Sequence, residues 1–235
     1  MTLKLGLPSK GRLQADAIAW FAERGVALER TGSEREYAGR VRGVAGVDLV
    51  LLSAAEIPAE LARGRIHLGI TGQDLVREHV PRWADVVTEL APLGFGRADL
   101  VVAVPAGWID VLDMADLDAV AADFRAVHGH RLRVATKYHH LVRDFFRARG
   151  VADYQLVDSQ GATEGTVKNL TAEAIADITT TGSTLRDNHL KVLADGLILA
   201  SEATLFATQA AAWDEASSAA LAALAERLGL PAPAP

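Results

Sequence analysis

The stretch 174–190, AIADITTTGSTLRDNHL, is the richest in groups that could do chemistry. An apolar run ends at Asp177, and five of the six residues Thr179–Thr184 are Ser or Thr, set around Gly182. A helix is predicted to start near Ser183. Backbone N–H groups at such a junction, with glycine allowing close approach, form an anion cradle. The hydroxyls of Thr179, Thr180, Thr181, Ser183 and Thr184 would add donors for phosphate oxygens. Asp177, at the carboxyl end of the strand, is placed to accept hydrogen bonds from sugar hydroxyls. The plainer alternative is a helix cap with Ser183 as N-cap. A cap needs one hydroxyl; this segment alone fits a cap, and the surplus of hydroxyls is what raises the ligand reading beside it.

Two further junctions repeat the arrangement. Pro8-Ser9-Lys10-Gly11-Arg12 follows the first apolar run. Lys10 and Arg12, flanking a glycine, suit a polyphosphate or an adenine–phosphate ligand, or else form a solvated loop. Gly69-Ile70-Thr71-Gly72-Gln73-Asp74 also opens a helix. Gly72 and Asp74 are site candidates there, the alternative for Asp74 being a first-turn carboxylate favoured by the helix dipole. Glu164, in Gly161-Ala162-Thr163-Glu164, is a candidate for orienting a substrate or a hydrated Mg²⁺, or a plain helix-start glutamate. Lys137 follows the apolar run 132–135 and could meet phosphate or solvent. The His128-Gly129-His130 and His139-His140 pairs lack metal-ligand spacing and read as surface residues.

Positioning these groups requires strands that end where helices begin. Short apolar runs (3–7, 47–52, 66–70, 86–90, 100–104, 132–135, 154–157, 174–178) alternate with amphipathic stretches (13–24, 57–62, 75–80, 114–127, 138–149). That alternation predicts an α/β fold with largely parallel strands. The runs 191–193 and 197–199 read as strands returning to the first unit, and Ala210–Ala225 as an Ala-rich helix. The expected division is a discontinuous first lobe, 1–94 plus 185–235, and a second lobe, 95–184.

Composition narrows the function. The net charge is −6, half the residues are hydrophobic and 23 % are charged, values of an ordinary folded chain. The acidic balance disfavours a general nucleic-acid binder, which needs broad positive charge. The absence of cysteine excludes a disulfide scaffold, a thiolate metal site and a Cys nucleophile. No secretory h-region opens the chain, and no apolar run nears the ~18 residues of a membrane span. The expectation is a cytoplasmic protein with neither a nucleic-acid nor a membrane partner.

Taken together, LPSKGRL at 7–13, DLVLLSAAEIPAEL at 48–61, HLGITGQDLVRE at 67–78, RVATKYHHLVRDFF at 133–146, GATEG at 161–165 and DITTTGSTLRDNHL at 177–190 resemble the ATP phosphoribosyltransferase family of histidine biosynthesis. The resemblance runs in order along almost the whole chain, and the last motif looks like the family's phosphoribosyl-diphosphate loop. It is strongest to the short form, which lacks a C-terminal regulatory domain. One position departs: many members carry an Arg just before the acidic-Ile/Val-Pro segment, where Ser53 stands here ahead of Glu56-Ile57-Pro58. Arg35, Arg40 and Arg42 are the alternatives for holding the leaving group.

The resemblance implies a two-lobed fold like the type II periplasmic binding proteins, with the site in the interlobe cleft. It implies transfer of 5-phosphoribosyl from 5-phosphoribosyl 1-diphosphate to N1 of the adenine of ATP, with release of pyrophosphate. Thr180–Thr184 would take the 5-phosphate and Asp177 the ribose hydroxyls. Lys10 and Arg12 would neutralise ATP phosphates or diphosphate, and Asp74 and Glu164 would lie near the ribose or a Mg²⁺ carried on the diphosphate. The implied partner is a regulatory subunit resembling histidyl-tRNA synthetase, in a hetero-oligomer built on a homodimer. The Ala210–Ala225 helix would either dock that partner or pack on its own lobe. Two other classes share these features: a ligand-binding module of the same fold, and a phosphoribosyltransferase acting on a different base.

Overall fold

Leucines at 3, 5 and 7 are buried on one face of the first strand, and this period of two starts a sheet. The computed structural model describes residues 2–30, 38–159 and 161–231. In chain order the elements are β1 (Leu3–Pro8), α1 (Arg12–Ala22), β2 (Ala27–Arg30), β3 (Ala38–Arg42), β4 (Val47–Leu52), α2 (Ile57–Ala62), β5 (Leu68–Gly72) and α3 (Gln73–His79). A 3-10 turn at Trp83–Asp85 leads to β6 (Val87–Pro92) and β7 (Ala98–Pro105). Then come α4 (Met114–His128), β8 (Leu132–Thr136), α5 (His139–Ala148), β9 (Tyr154–Asp158), α6 (Gly165–Lys168) and β10 (Ala174–Thr179). The chain continues through α7 (Ser183–Asp187), β11 (Leu190–Ser201), β12 (Ala203–Thr208) and α8 (Glu215–Leu228).

The chain divides into two units, one running to Gly96 and resuming at Glu202, the other Arg97–Ser201. The first holds a seven-stranded sheet in the order β2-β3-β4-β1-β5-β12-β6. Strand β1 runs parallel to β4 and β5, and β12 runs antiparallel to β5 and β6. The second holds a five-stranded sheet in the order β11-β7-β10-β8-β9. There β10, β8 and β9 are parallel, and β7 is antiparallel to β10 and β11. Each sheet is covered by helices over its own apolar clusters, as an α/β layer requires.

The structure differs from the expected division at 185–201. Residues 191–199 do not return to the first unit. They form one irregular strand paired with β7, Lys191 opposite Val104 and Ala200 opposite Asp99. Leu190 and Leu193 are buried there, which holds the segment in the second unit. The return is made one strand later by β12, whose six residues are all buried. The C-terminal helix also starts later than expected. Asp214 caps α8 through a reciprocal bond pattern with Ser217, and the cap excludes 210–213 from the helix. Leu221, Leu224 and Leu228 are at most 5 % exposed and join the first unit's core, so this face of α8 packs on its own unit.

His67, just ahead of β5, is 5 % exposed. Its Nδ1 accepts the Lys4 backbone N–H at 3.1 Å, and the edge of its ring meets Trp213. Burial pushes the imidazole pKa down, aided by Lys4 and opposed by the Ala212 carbonyl and Asp214. The unfolded chain therefore binds the proton at a higher pH than the folded one. Stability from this site is fully present above about pH 6.5 and is lost as pH falls below it. Melting temperatures between pH 8 and 5.5 should fall more steeply for the native protein than for His67→Asn, which keeps an acceptor for Lys4. Parallel slopes would exclude His67 as the cause.

Candidate functional site

The parallel strands β8, β9 and β10 end on one edge of the second sheet, at Thr136, Asp158 and Thr179. The loop after β10 folds back through its own hydroxyls. The Gly182 N–H donates to Thr179 Oγ1 at 2.9 Å, and Thr181 Oγ1 and Ser183 Oγ share a hydrogen bond of 2.9 Å. Thr180 Oγ1 donates to the Arg97 carbonyl at 3.3 Å. Gly182, not Ser183, is the N-cap of α7. It takes φ +69° and supplies no side-chain cap, so the alternative reading of Ser183 as N-cap does not hold. With only five residues in α7, a large helix dipole is unavailable, and anion affinity has to come from loop amides and hydroxyls.

These groups surround one cavity of about 360 Å³, lined by Ala98, Glu164, Asp177, Ile178, Thr179, Thr180, Thr181, Ser183, Thr184 and Leu185. The structure thus brings together seven of the site residues read from the sequence, with Gly182 in the same loop. Leu185, 5 % exposed, anchors the loop to the unit's core. The lining offers hydroxyl donors and two carboxylates, and no lysine or arginine. That chemistry matches a phosphorylated polyol better than an apolar ligand. Lys137 lies on the same strand-end side, and its Nζ donates to the Gly161 carbonyl at 2.7 Å. In this structure it bonds the loop that carries Glu164.

Lys10, Arg12, Gly72 and Asp74 belong to the first unit. They follow or end β1 and β5, neighbouring parallel strands whose carboxyl ends share one sheet edge. Lys10 is exposed, and Arg12, 88 % exposed, lies 3.7 Å from Asp16. Gly72 is the extended N-cap of α3, and Asp74 is a 6 %-exposed acid in that helix's first turn. Ser53 also has a defined part. Its backbone N–H donates to Glu56 Oε2 at 2.9 Å, while Ser53 Oγ accepts the Glu56 N–H at 3.3 Å. Hydrogen bonding from Ser53, chiefly from its backbone N–H and then from its side chain, holds the Glu56 carboxyl below its ordinary pKa. Ser53 therefore makes a turn ahead of α2. Of the alternative arginines, Arg42 pairs with Glu29 at 2.7 Å, Arg40 is exposed on β3, and Arg35 lies outside the described residues.

Among the described residues no group of three or more His, Asp or Glu is arranged to hold a metal ion. No helix among them is long and apolar enough to cross a membrane.

The sequence profile of the ATP phosphoribosyltransferase family (HisG) matches residues 53–229. The chain belongs to the ATP phosphoribosyltransferase family. It is accordingly a pentosyltransferase of histidine biosynthesis. It is 66 % identical over 233 residues to the ATP phosphoribosyltransferase of Cereibacter sphaeroides, covering 99 % of this chain and 98 % of that one. Against the enzyme of Rhodopseudomonas palustris strain BisB18 it is 54 % identical over 209 residues, which is 89 % of this chain but 64 % of that longer protein. Among solved structures it is similar to the ATP phosphoribosyl transferase (HisG:HisZ) complex from Thermotoga maritima, with TM-score 0.73 and 20 % identity over 97 % of this chain and 96 % of that one. It also shares its fold with a histidine kinase sensor domain similar to periplasmic binding proteins, with TM-score 0.52 and 12 % identity over 97 % and 89 %. The two-unit α/β architecture is thus of the periplasmic-binding-protein type.

In this ATP phosphoribosyltransferase-family chain, sequence reasoning missed three residues whose bonds brace the loops around the cavity. Arg186 donates through Nη1 to the Thr181 carbonyl at 3.1 Å and braces the hydroxyl loop. The signal was its spacing of four residues from Gly182, one helical turn. Ser159 and Thr163 form a buried hydroxyl pair, at 2.8 Å, beside Glu164. The isolated hydroxyls carried no sequence signal, because their pairing depends on the loop between them.

Proposed function

We propose that the cavity at the end of β10 is the phosphoribosyl-diphosphate subsite of this transferase. The observation that carries the reading is the convergence of Asp177, Glu164 and the Thr179–Thr184 hydroxyls on one cavity. Thr180–Thr184 bind the 5-phosphate through amides and hydroxyls. Asp177 accepts hydrogen bonds from the ribose hydroxyls, and Glu164 orients the ring from the opposite loop. Lys10, Arg12, Gly72 and Asp74 serve ATP or the diphosphate from the first unit.

The reaction is the first step of L-histidine biosynthesis. Adenine N1 of ATP brings its lone pair to C1 of the ribose, the bond from C1 to the diphosphate oxygen breaks, and pyrophosphate leaves. N1 is neutral at pH 7 and needs no strong base. Catalysis is positioning plus stabilisation of charge that moves from C1 to the leaving group. The donor set fits a divalent ion that arrives on the diphosphate with its own waters, because Mg²⁺ takes few carboxylates and keeps phosphate and water oxygens. When bound, Mg²⁺ would supply positive charge to the leaving diphosphate, with Asp74 and Glu164 as the carboxylates that would lie near it. The chain's own residues hold the ribosyl group and the 5-phosphate fixed.

A regulatory subunit resembling histidyl-tRNA synthetase completes the proposal, in a hetero-oligomer built on a homodimer in the cytoplasm. It is supported by the fold shared with a chain of the HisG:HisZ complex. Purified chain with ATP, phosphoribosyl diphosphate and Mg²⁺ should develop the ultraviolet absorbance of an N1-substituted adenine, and omission of either substrate should abolish it. Binding of both substrates without absorbance change would favour a binding module. In the same assay histidine should inhibit only with the partner added, since coupling needs a second site. Strong inhibition of the chain alone would overturn the two-subunit regulation.

A further inference from the structure

We propose that the buried Ser159–Thr163 hydroxyl pair is a positioning device that fixes the backbone from which Glu164 enters the cavity. The proposal rests on the reading of that cavity as the phosphoribosyl-diphosphate subsite. Thr163 is fully buried and Ser159 is 7 % exposed, and Ser159 Oγ donates to Thr163 Oγ1 at 2.8 Å. The pair is tied to the sheet, since the Ser159 N–H donates to the carbonyl of Thr136, the last residue of β8, at 3.3 Å.

The flanking chain is held as well. Lys137 Nζ bonds the Gly161 carbonyl, and Thr166 donates to the Thr163 carbonyl through Oγ1 at 2.6 Å and through its N–H at 3.1 Å. Glu164 is the next residue. It stands at the N-cap of α6 and makes no side-chain capping bond, so its carboxylate is not used to start the helix, and it lines the cavity. A buried hydroxyl pair is directional where an apolar contact is not, and a satisfied pair of this kind selects one local arrangement. Removing one partner strands the other hydroxyl, whereas removing both does not. That difference separates positioning from mere stability.

The test uses the full chain and compares Glu164→Gln, Thr163→Val, Thr163→Ser and the double variant Ser159→Ala/Thr163→Val. Thr163→Val should lower kcat/KM for phosphoribosyl diphosphate by about 10-fold with the KM for ATP unchanged, and Thr163→Ser should restore most of it. The double variant should recover the melting temperature, because no hydroxyl is stranded, but not the activity. Combined with Glu164→Gln, Thr163→Val should add little, since both changes act through one carboxylate. If the double variant regains activity together with stability, or if Thr163→Val and Glu164→Gln effects add, the pair is structural and the proposal is overturned. Impairment by Glu164→Gln alone, with Thr163→Val kinetically silent, overturns the positioning role and leaves the cavity reading intact. A silent Glu164→Gln removes Glu164 from the site, and the proposal with it.

Discussion

Asp177→Ala is expected to lower kcat/KM for phosphoribosyl diphosphate by about 10- to 100-fold, because a charge-assisted hydrogen bond to a sugar hydroxyl contributes roughly 1.5–3 kcal/mol. Asp177 is held by β10, which lies between β7 and β8 and sets Asp177 opposite Val101. A side chain on a paired interior strand is more precisely placed than one on a loop. Oδ1 already accepts the Ile178 N–H at 2.9 Å, which orients the carboxylate. Asp177→Asn keeps the shape and loses the charge, so it should fall between Ala and native. The KM for ATP and the melting temperature are the controls. Unchanged steady-state kinetics in both variants, with folding intact, would remove Asp177 from the site.

The legible parts of the molecule are those where one local signal dominates. Val47–Leu52 and Ile57–Ala62 read directly as a strand and a helix with the observed bounds, because an apolar run and a Pro near the helix start leave few alternatives. The strand–Asp–hydroxyl–Gly–helix pattern at 174–187 was equally plain, and the structure gathers its residues about one cavity. What escaped depends on pairing at a distance. Strand β12, ATLFAT, is buried on both faces between β5 and β6, and a short run without alternation cannot be told from its Ala-rich surroundings. Strand β2 lies at the sheet edge with β3 between it and β4, and ALER and AGRVR have little apolar patterning to announce them.

The unit boundary was misjudged for the same reason. Residues 190–201 alternate unevenly, with register shifts between Val192 and Leu197 and again between Leu197 and Leu199. A bulge breaks the period of two and makes one strand look like two fragments. Nothing local says that the partner is β7. In the site, Asp177 and the hydroxyl loop announced themselves by composition, whereas Arg186, Ser159 and Thr163 act through bonds to backbone and to each other that only the folded loops create.

Gly182→Ala should raise the KM for phosphoribosyl diphosphate by about 10-fold or more and lower the melting temperature by roughly 2–6 °C. Two effects act together. Gly182 holds φ +69°, a conformation that costs an L residue roughly 1–2 kcal/mol. The added Cβ would also lie 3.0 Å from Arg186 Nη1. The guanidinium must then give way, and its bond to the Thr181 carbonyl weakens. Relaxation from either cause turns the Thr181 and Ser183 hydroxyls and the intervening amide away from their present aim, so binding of the 5-phosphate suffers before folding does. The two causes can be separated. Gly182→Asn should be milder, because asparagine tolerates the left-handed region. Adding Arg186→Met to Gly182→Ala should restore little if backbone strain dominates and much if crowding does. A KM unchanged in Gly182→Ala, with the expected loss of stability, would mean that the phosphate does not sit on this loop.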